Sequence, residues 1–163
     1  MKLVNTFLFC LVVSTVLAGC YPPAKLYQST LDPLALQQMQ TQDFDTPKEI
    51  LFASTMSVFQ DSGFTIEASD LATGFITAKS PTRVAEIGWN GISNGDTVEE
   101  RTTAFVETTR PNKSKVRLNF IERSVRQRYG APNDIPNEDP AYYEKIFNKI
   151  REAIFLREAY KSK

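Results

Sequence analysis

The chain has no histidine among its 163 residues. That removes Ser-His-Asp and Cys-His catalysis, imidazole acid–base chemistry and every histidine metal site. Its only two cysteines, Cys10 and Cys20, lie near the start. The rest of the chain therefore has no disulfide, no thiolate metal site and no cysteine nucleophile. With 19 basic and 19 acidic residues there is no net charge, and nothing in the balance points to nucleic acid. There is one tryptophan, Trp89, and the seven glycines form no phosphate-cradling motif. No cofactor and no metal site are expected, and a non-enzymatic protein is the expectation these absences support.

What is present begins with an export signal. Lys2 supplies a positive start, and an apolar run follows from Leu3 to Val16. That run is shorter than the roughly 20 residues that cross a bilayer. The next four residues, Leu17-Ala18-Gly19-Cys20, resemble a bacterial lipoprotein cleavage box. The resemblance implies cleavage between Gly19 and Cys20, a diacylglyceryl group on the Cys20 sulfur, and acylation of the new amino end. Two or more acyl chains anchor stably where one does not. Under the enteric-type sorting rule, Tyr21 rather than Asp after the cysteine implies the outer membrane, with the domain facing the periplasm.

Residues 1–19 are thus read as signal and 20–36 as lipidated cysteine plus tether. The tether contains Pro22, Pro23 and Pro33, which fix φ and remove donors. Residues 37–163 suit a single domain.

Within the domain, Leu36–Phe44 reads as a polar edge strand. Thr46-Pro47-Lys48-Glu49 matches a capping box with proline at the first helical position. The helix it predicts runs from Pro47 to about Ser62 and stops at Gly63. Its apolar side holds Leu51, Phe52, Thr55, Met56, Val58 and Phe59, with Ser54, Ser57, Gln60 and Asp61 opposite. Asp43 and Asp45 flank its start, where negative charge is favourable.

Phe64–Ser69 and Phe75–Lys79 alternate around a turn at Asp70–Gly74 and predict a hairpin, with Ile76 and Ala78 facing away from Phe75 and Thr77. Residues 81–100 read as a short helix or loop. Arg101–Thr109 and Lys115–Arg123 are the next strands, and Val116, Leu118 and Phe120 share one face of the second. Residues 128–139 hold Gly130, Pro132 and Pro136 and read as a loop. Asp139 then caps a helix that opens on Pro140 and runs to about Tyr160. Its stripe is Tyr143, Ile146, Phe147, Ile150, Ala153 and Ile154. Phe155 falls off that stripe, and the favoured reading buries it rather than exposing it to a partner.

The order is β-α-β-β-(short helix)-β-β-α. It predicts an α+β fold: an antiparallel sheet of about five strands gripping two main helices on one face. The pieces QTQDFDT, VFQDSGFTIEASDLATGFITAKS, KVRLNFIERSV and DPAYYEKIFNKIREAIFLREA resemble an uncharacterised family of proteobacterial lipoproteins. Members of that family commonly carry Leu in place of Ser62 and Glu in place of Arg157. The resemblance implies a helix-grip-like domain, distantly similar to the C lipoprotein of the outer-membrane barrel-assembly machine. It supplies no catalytic residue.

The site candidates are therefore few. Cys20 is the lipidation site, with Gly19 and Cys20 bounding the cleavage. Trp89, Arg117, Arg123 and Phe155 are candidate partner contacts. Arg117, Arg123, Arg126 and Arg128 form a basic stretch whose plainest role is a solvated strand face paired with Glu107 or Glu122. The expected function is a periplasmic lipoprotein of the outer membrane that binds protein partners in an envelope assembly. Its membrane contact would be through lipid on Cys20, with no nucleic acid and the oligomeric state open. The alternative is a carrier of a small hydrophobic ligand or lipid between sheet and helices.

Overall fold

A computed structural model describes residues 29, 31–84, 97–125 and 132–161. Gly19, Cys20, Trp89, Arg126 and Arg128 lie outside the described residues, as do 85–96 of the 81–100 stretch read as a short helix or loop; the described ends of that stretch include strand, at Arg83–Val84 and from Thr97. The elements run α1 (Pro33–Met39), β1 (Thr41–Phe44), α2 (Lys48–Asp61), β2 (Thr65–Asp70), β3 (Phe75–Lys79), β4 (Arg83–Val84), β5 (Thr97–Arg110), β6 (Lys113–Val125), β7 (Pro132–Pro136) and α3 (Pro140–Lys161).

The fold is α+β, with one antiparallel sheet and its two long helices on one face. The five-strand path β1-β6-β5-β3-β2 is the sheet the sequence predicts. Two further short strands extend it: β4 pairs with β5, and β7 with β6. The centre is the β5–β6 hairpin, longer at both ends than the alternation predicts. Asn112, at φ 57°, supplies the left-handed residue its turn needs.

Several expectations need correction. Leu36–Met39 is not strand, and residues 33–36 are not tether: both belong to α1. Asp32 caps it, accepting from the Leu34 N–H at 3.2 Å, and Pro33 opens it. Second, Thr46 does not cap α2. Pro47 holds the N-cap position with no side-chain bond, while the Thr46 hydroxyl turns inward and donates to Glu158. Third, the predicted loop at 128–139 contains β7, whose prolines stand at its two ends. An edge strand tolerates them there because proline, which has no N–H to donate, then removes a ladder donor only at the strand's ends. Fourth, Phe155 is exposed, at 71%.

The C-terminus of α2 follows its sequence signal. Gly63, at φ 87°, turns the chain; its N–H bonds to the Gln60 carbonyl and the Phe64 N–H to the Phe59 carbonyl, both 2.9 Å. The core lies between sheet and helices. Leu51 and Phe59 of α2 and Tyr143 and Ile150 of α3 meet Ile76, Leu118 and Phe120 of the sheet. Phe120 is the hub, with ring centroids of Phe59, Phe64, Tyr142 and Tyr143 within 6.2 Å. Ser54, expected on the solvent side of α2, is buried. Helix α2 is covered by the sheet on one side and α3 on another, so its buried arc is wider than a single stripe.

α2 and α3 run antiparallel. Thr46 meets Glu158 near one end of the pair, and Lys149 donates to the Ser62 hydroxyl at 3.3 Å near the other. Arg157 reaches across to the Ala53 carbonyl at 3.1 Å and to the Ser57 hydroxyl.

Candidate functional site

The two long helices leave the other face of the sheet free, and α1 reaches only its margin, where Leu36 lines the groove described below. Strand register sets what that face displays. One row runs Phe75, Phe105, Arg117, Thr41 across β3, β5, β6 and β1. The next holds Thr77, Thr103 and Asn119, and the one after it Lys79, Arg101, Ile121 and Pro136. A fourth holds Glu99, Arg123 and Asp134.

Phe75 is 54% exposed, and its ring lies 4.7 Å from that of Phe105, the two inclined by 38°. Cross-strand aromatic pairs of this kind stabilise a sheet by up to about 1 kcal/mol. They also leave apolar area in water. Beside the pair, Arg117, Asn119, Ile121 and Pro136 line an open groove of about 490 Å³. Arg117 donates to the Gln40 side chain at 3.2 Å, which holds its guanidinium over the groove wall.

Further along the same face, beyond the groove lining, lie ion pairs. Arg123 grips Asp134 with two bonds, 2.7 and 2.6 Å. The pairing holds the Asp134 carboxyl below the usual carboxylate range and raises the Arg123 guanidinium. Glu99 is likewise lowered by its bond from Arg101. The sequence reading paired the arginines with Glu107 or Glu122. Instead Glu107 binds Lys115 at 2.8 Å, and the partner of Arg123 is in the unforeseen strand β7.

A second groove, of about 570 Å³, opens where β4, β5, β6 and the start of α3 converge. Glu100 and Glu122 stand opposite each other on β5 and β6, with Arg83 and Tyr142 in the same lining. The Tyr142 hydroxyl donates to Glu100 at 2.9 Å. Burial pushes the Glu100 carboxyl up, and Glu122 adds to it, against the Tyr142 bond and Arg83. Burial also pushes the Tyr142 hydroxyl up, followed by its bond to Glu100. Like charges opposite each other on neighbouring strands are destabilising, so the pair carries an electrostatic cost. Among the described residues no group of three or more carboxylates, cysteines or histidines is arranged to hold a metal ion.

A third groove, of about 540 Å³, lies between α1 and α3, lined by Leu31, Met39, Phe147, Asn148 and Arg151 among others.

Of the sequence candidates, Arg117 and Arg123 share the helix-free face, Arg117 in the row of the aromatic pair and Arg123 in the row of Asp134. Phe155 is elsewhere, on the outer side of α3. Phe75, Phe105, Glu100 and Tyr142 were not among the candidates. The alternation of β3 already puts Phe75 opposite the buried Ile76; only the register with β5 reveals that Phe105 stands beside it. Ser62 and Arg157 both lie on the α2–α3 seam.

No family model matches the chain, and no curated protein matches it. Among solved structures it is similar to a DUF4468 family protein from Bacteroides ovatus. The TM-score is 0.41 and the identity 11%, over 70% of this chain and 84% of that one. Among the described residues no helix is long and apolar enough to cross a membrane.

Proposed function

We propose that the protein is an outer-membrane lipoprotein, anchored through Cys20 and facing the periplasm, that acts as a non-enzymatic binding module in a cell-envelope assembly. The helix-free face of the sheet is its protein-binding surface. The observation that carries this reading is the exposed Phe75 ring, tilted against Phe105 in an open groove beside Arg117. Exposed aromatics and arginine are the residue types that dominate binding energy at protein interfaces. The matching partner presents an apolar side chain to the Phe75–Phe105 pair and a carboxylate to Arg117. The anchor part of the reading rests on the Leu17–Cys20 pattern and on the lipoprotein resemblance of residues 40–160.

The carrier alternative has less support. Among the described residues the space between sheet and helices is filled by core side chains, and the three grooves open on the outside. Carboxylate-based catalysis has one observation in its favour, the raised Glu100 opposite Glu122 in an open groove.

A photo-crosslinking side chain placed at position 75 in cells tests the binding reading. A discrete protein adduct is expected, weakened by Arg117→Glu. Adducts from Glu100 or Phe155 positions with none from 75 would move the binding surface elsewhere.

A further inference from the structure

The outer side of α3 changes character along its length. At roughly 100° per residue, the line through Glu152 and Ala159 lies opposite the buried Tyr143 and Ile150. Towards the start of the helix this outer side carries Ala141, Lys145 and Asn148, all exposed. Over its last two turns it is flanked by Phe155, Leu156 and Tyr160, which are 71%, 57% and 76% exposed. Three large side chains held in water within six residues contrast with the complete burial of Tyr143 and Ile150 on the same helix.

Chain connectivity says what lies near them. Leu31, at the start of the fold, lines the same groove as Asn148 and Arg151 of α3. Arg151 is about one turn before Phe155. The stretch from Cys20 to Leu31 spans at most roughly 40 Å fully extended. A lipid on Cys20 therefore keeps the bilayer within a short reach of the apolar end of α3. Such tethering turns a weak surface contact into an intramolecular one.

We propose that Phe155, Leu156 and Tyr160 form a membrane-docking surface that seats the end of α3 in the lipid headgroup layer around the anchor. The proposal rests on lipidation of Cys20. Tyrosine suits the interface because its ring is apolar and its hydroxyl polar. Apolar residues on one part of a helix whose remainder is charged suit a helix end that dips into the interface rather than one that crosses it. Docking orients the domain, fixing which way the helix-free face of the sheet points.

The test places a single tryptophan in the full lipidated protein, Phe155→Trp in a Trp89→Phe background, on phosphatidylethanolamine–phosphatidylglycerol vesicles brominated near the headgroup. Leu156→Trp is the second reporter. Ala141→Trp, on the same side of α3 but roughly 21 Å along it, is the reference. A blue shift and quenching at 155 and 156, with none at 141, is the expected result. Flotation with the vesicles and a mass spectrum establish the anchor separately. Lipidated, floating protein with no quenching at 155 or 156 overturns docking and leaves the anchor standing. A blue shift without vesicles that grows with protein concentration overturns it in favour of a second copy. A mass spectrum without lipid removes the anchor and the docking with it.

Discussion

The buried hydroxyl of Thr46 donates to the carboxylate of Glu158 at 2.8 Å, joining the entrance of α2 to the far part of α3 across 112 residues of sequence. Removing a buried hydroxyl bonded to a charged acceptor costs about 1.5–3 kcal/mol, less where the acceptor is partly in solvent. Thr46→Val is therefore expected to lower unfolding free energy in urea by about 1–2 kcal/mol. Glu158→Ala should be non-additive with it. If Thr46 were instead a helix cap, the two substitutions would add, and a double-mutant cycle separates the cases.

Gly63 and Gly74 share a φ of +87°, yet they differ in what surrounds them. A Cβ at Gly63 meets nothing within 4 Å, whereas at Gly74 it lies 2.0 Å from the Val106 carbonyl oxygen. Gly63→Ala should cost about 1–2 kcal/mol, the left-handed strain alone. Gly74→Ala adds a backbone clash in the sheet, so a loss well above that is expected. Equal midpoints for the two variants in a denaturant titration would contradict this.

Glu100 makes stability depend on pH in a set direction. Its carboxyl is raised above the ordinary 4.5, first by burial and then opposed by Tyr142 and Arg83 and reinforced by Glu122. A carboxyl raised by folding contributes stability that is present below its ordinary value and is lost as pH rises through the folded one. Glu100→Gln is neutral throughout and keeps an oxygen for the Tyr142 hydroxyl. Its stability relative to wild type should therefore improve as pH rises above about 4. Asp134, lowered by Arg123, behaves oppositely: its contribution is present at neutral pH and is lost on acidification. In thermal melts Glu100→Gln should gain on wild type as pH rises above about 4, and Asp134→Asn as pH falls below about 4.

The anchor has a direct reporter. Radiolabelled palmitate should enter the wild-type protein in cells and not Cys20→Ala. Label that survives the substitution removes the basis of the membrane placement.

Much of the fold is legible in the sequence because its cues are local. The period-2 runs of β3 and β6 mark their buried faces, and Asp139-Pro140 marks the start of α3. The same dipeptide, Asp32-Pro33, opens α1, but that helix buries none of its residues and so shows no stripe to read. What escapes the sequence depends on distant partners. Thr46-Pro47-Lys48-Glu49 has the spacing of a capping box, and only Glu158 shows why the hydroxyl turns away. Strand β7 exists through pairing with β6, against the loop signal of its own prolines. The candidate site is harder still. Phe75 and Phe105 are 30 positions apart, and nothing but register puts their rings together.

Register also governs how this sheet meets other chains. Its edges are brief or blunted: β1 has four residues, β4 two, β7 is bracketed by proline, and β2 is irregular between Ile66 and Ala68. Short, bulged or proline-bounded edges are poor templates for a further strand. Crowded copies of the domain thus have little main-chain invitation to zip into fibres. Whatever associates with it must be selected by side chains, which makes recognition open to tuning one residue at a time.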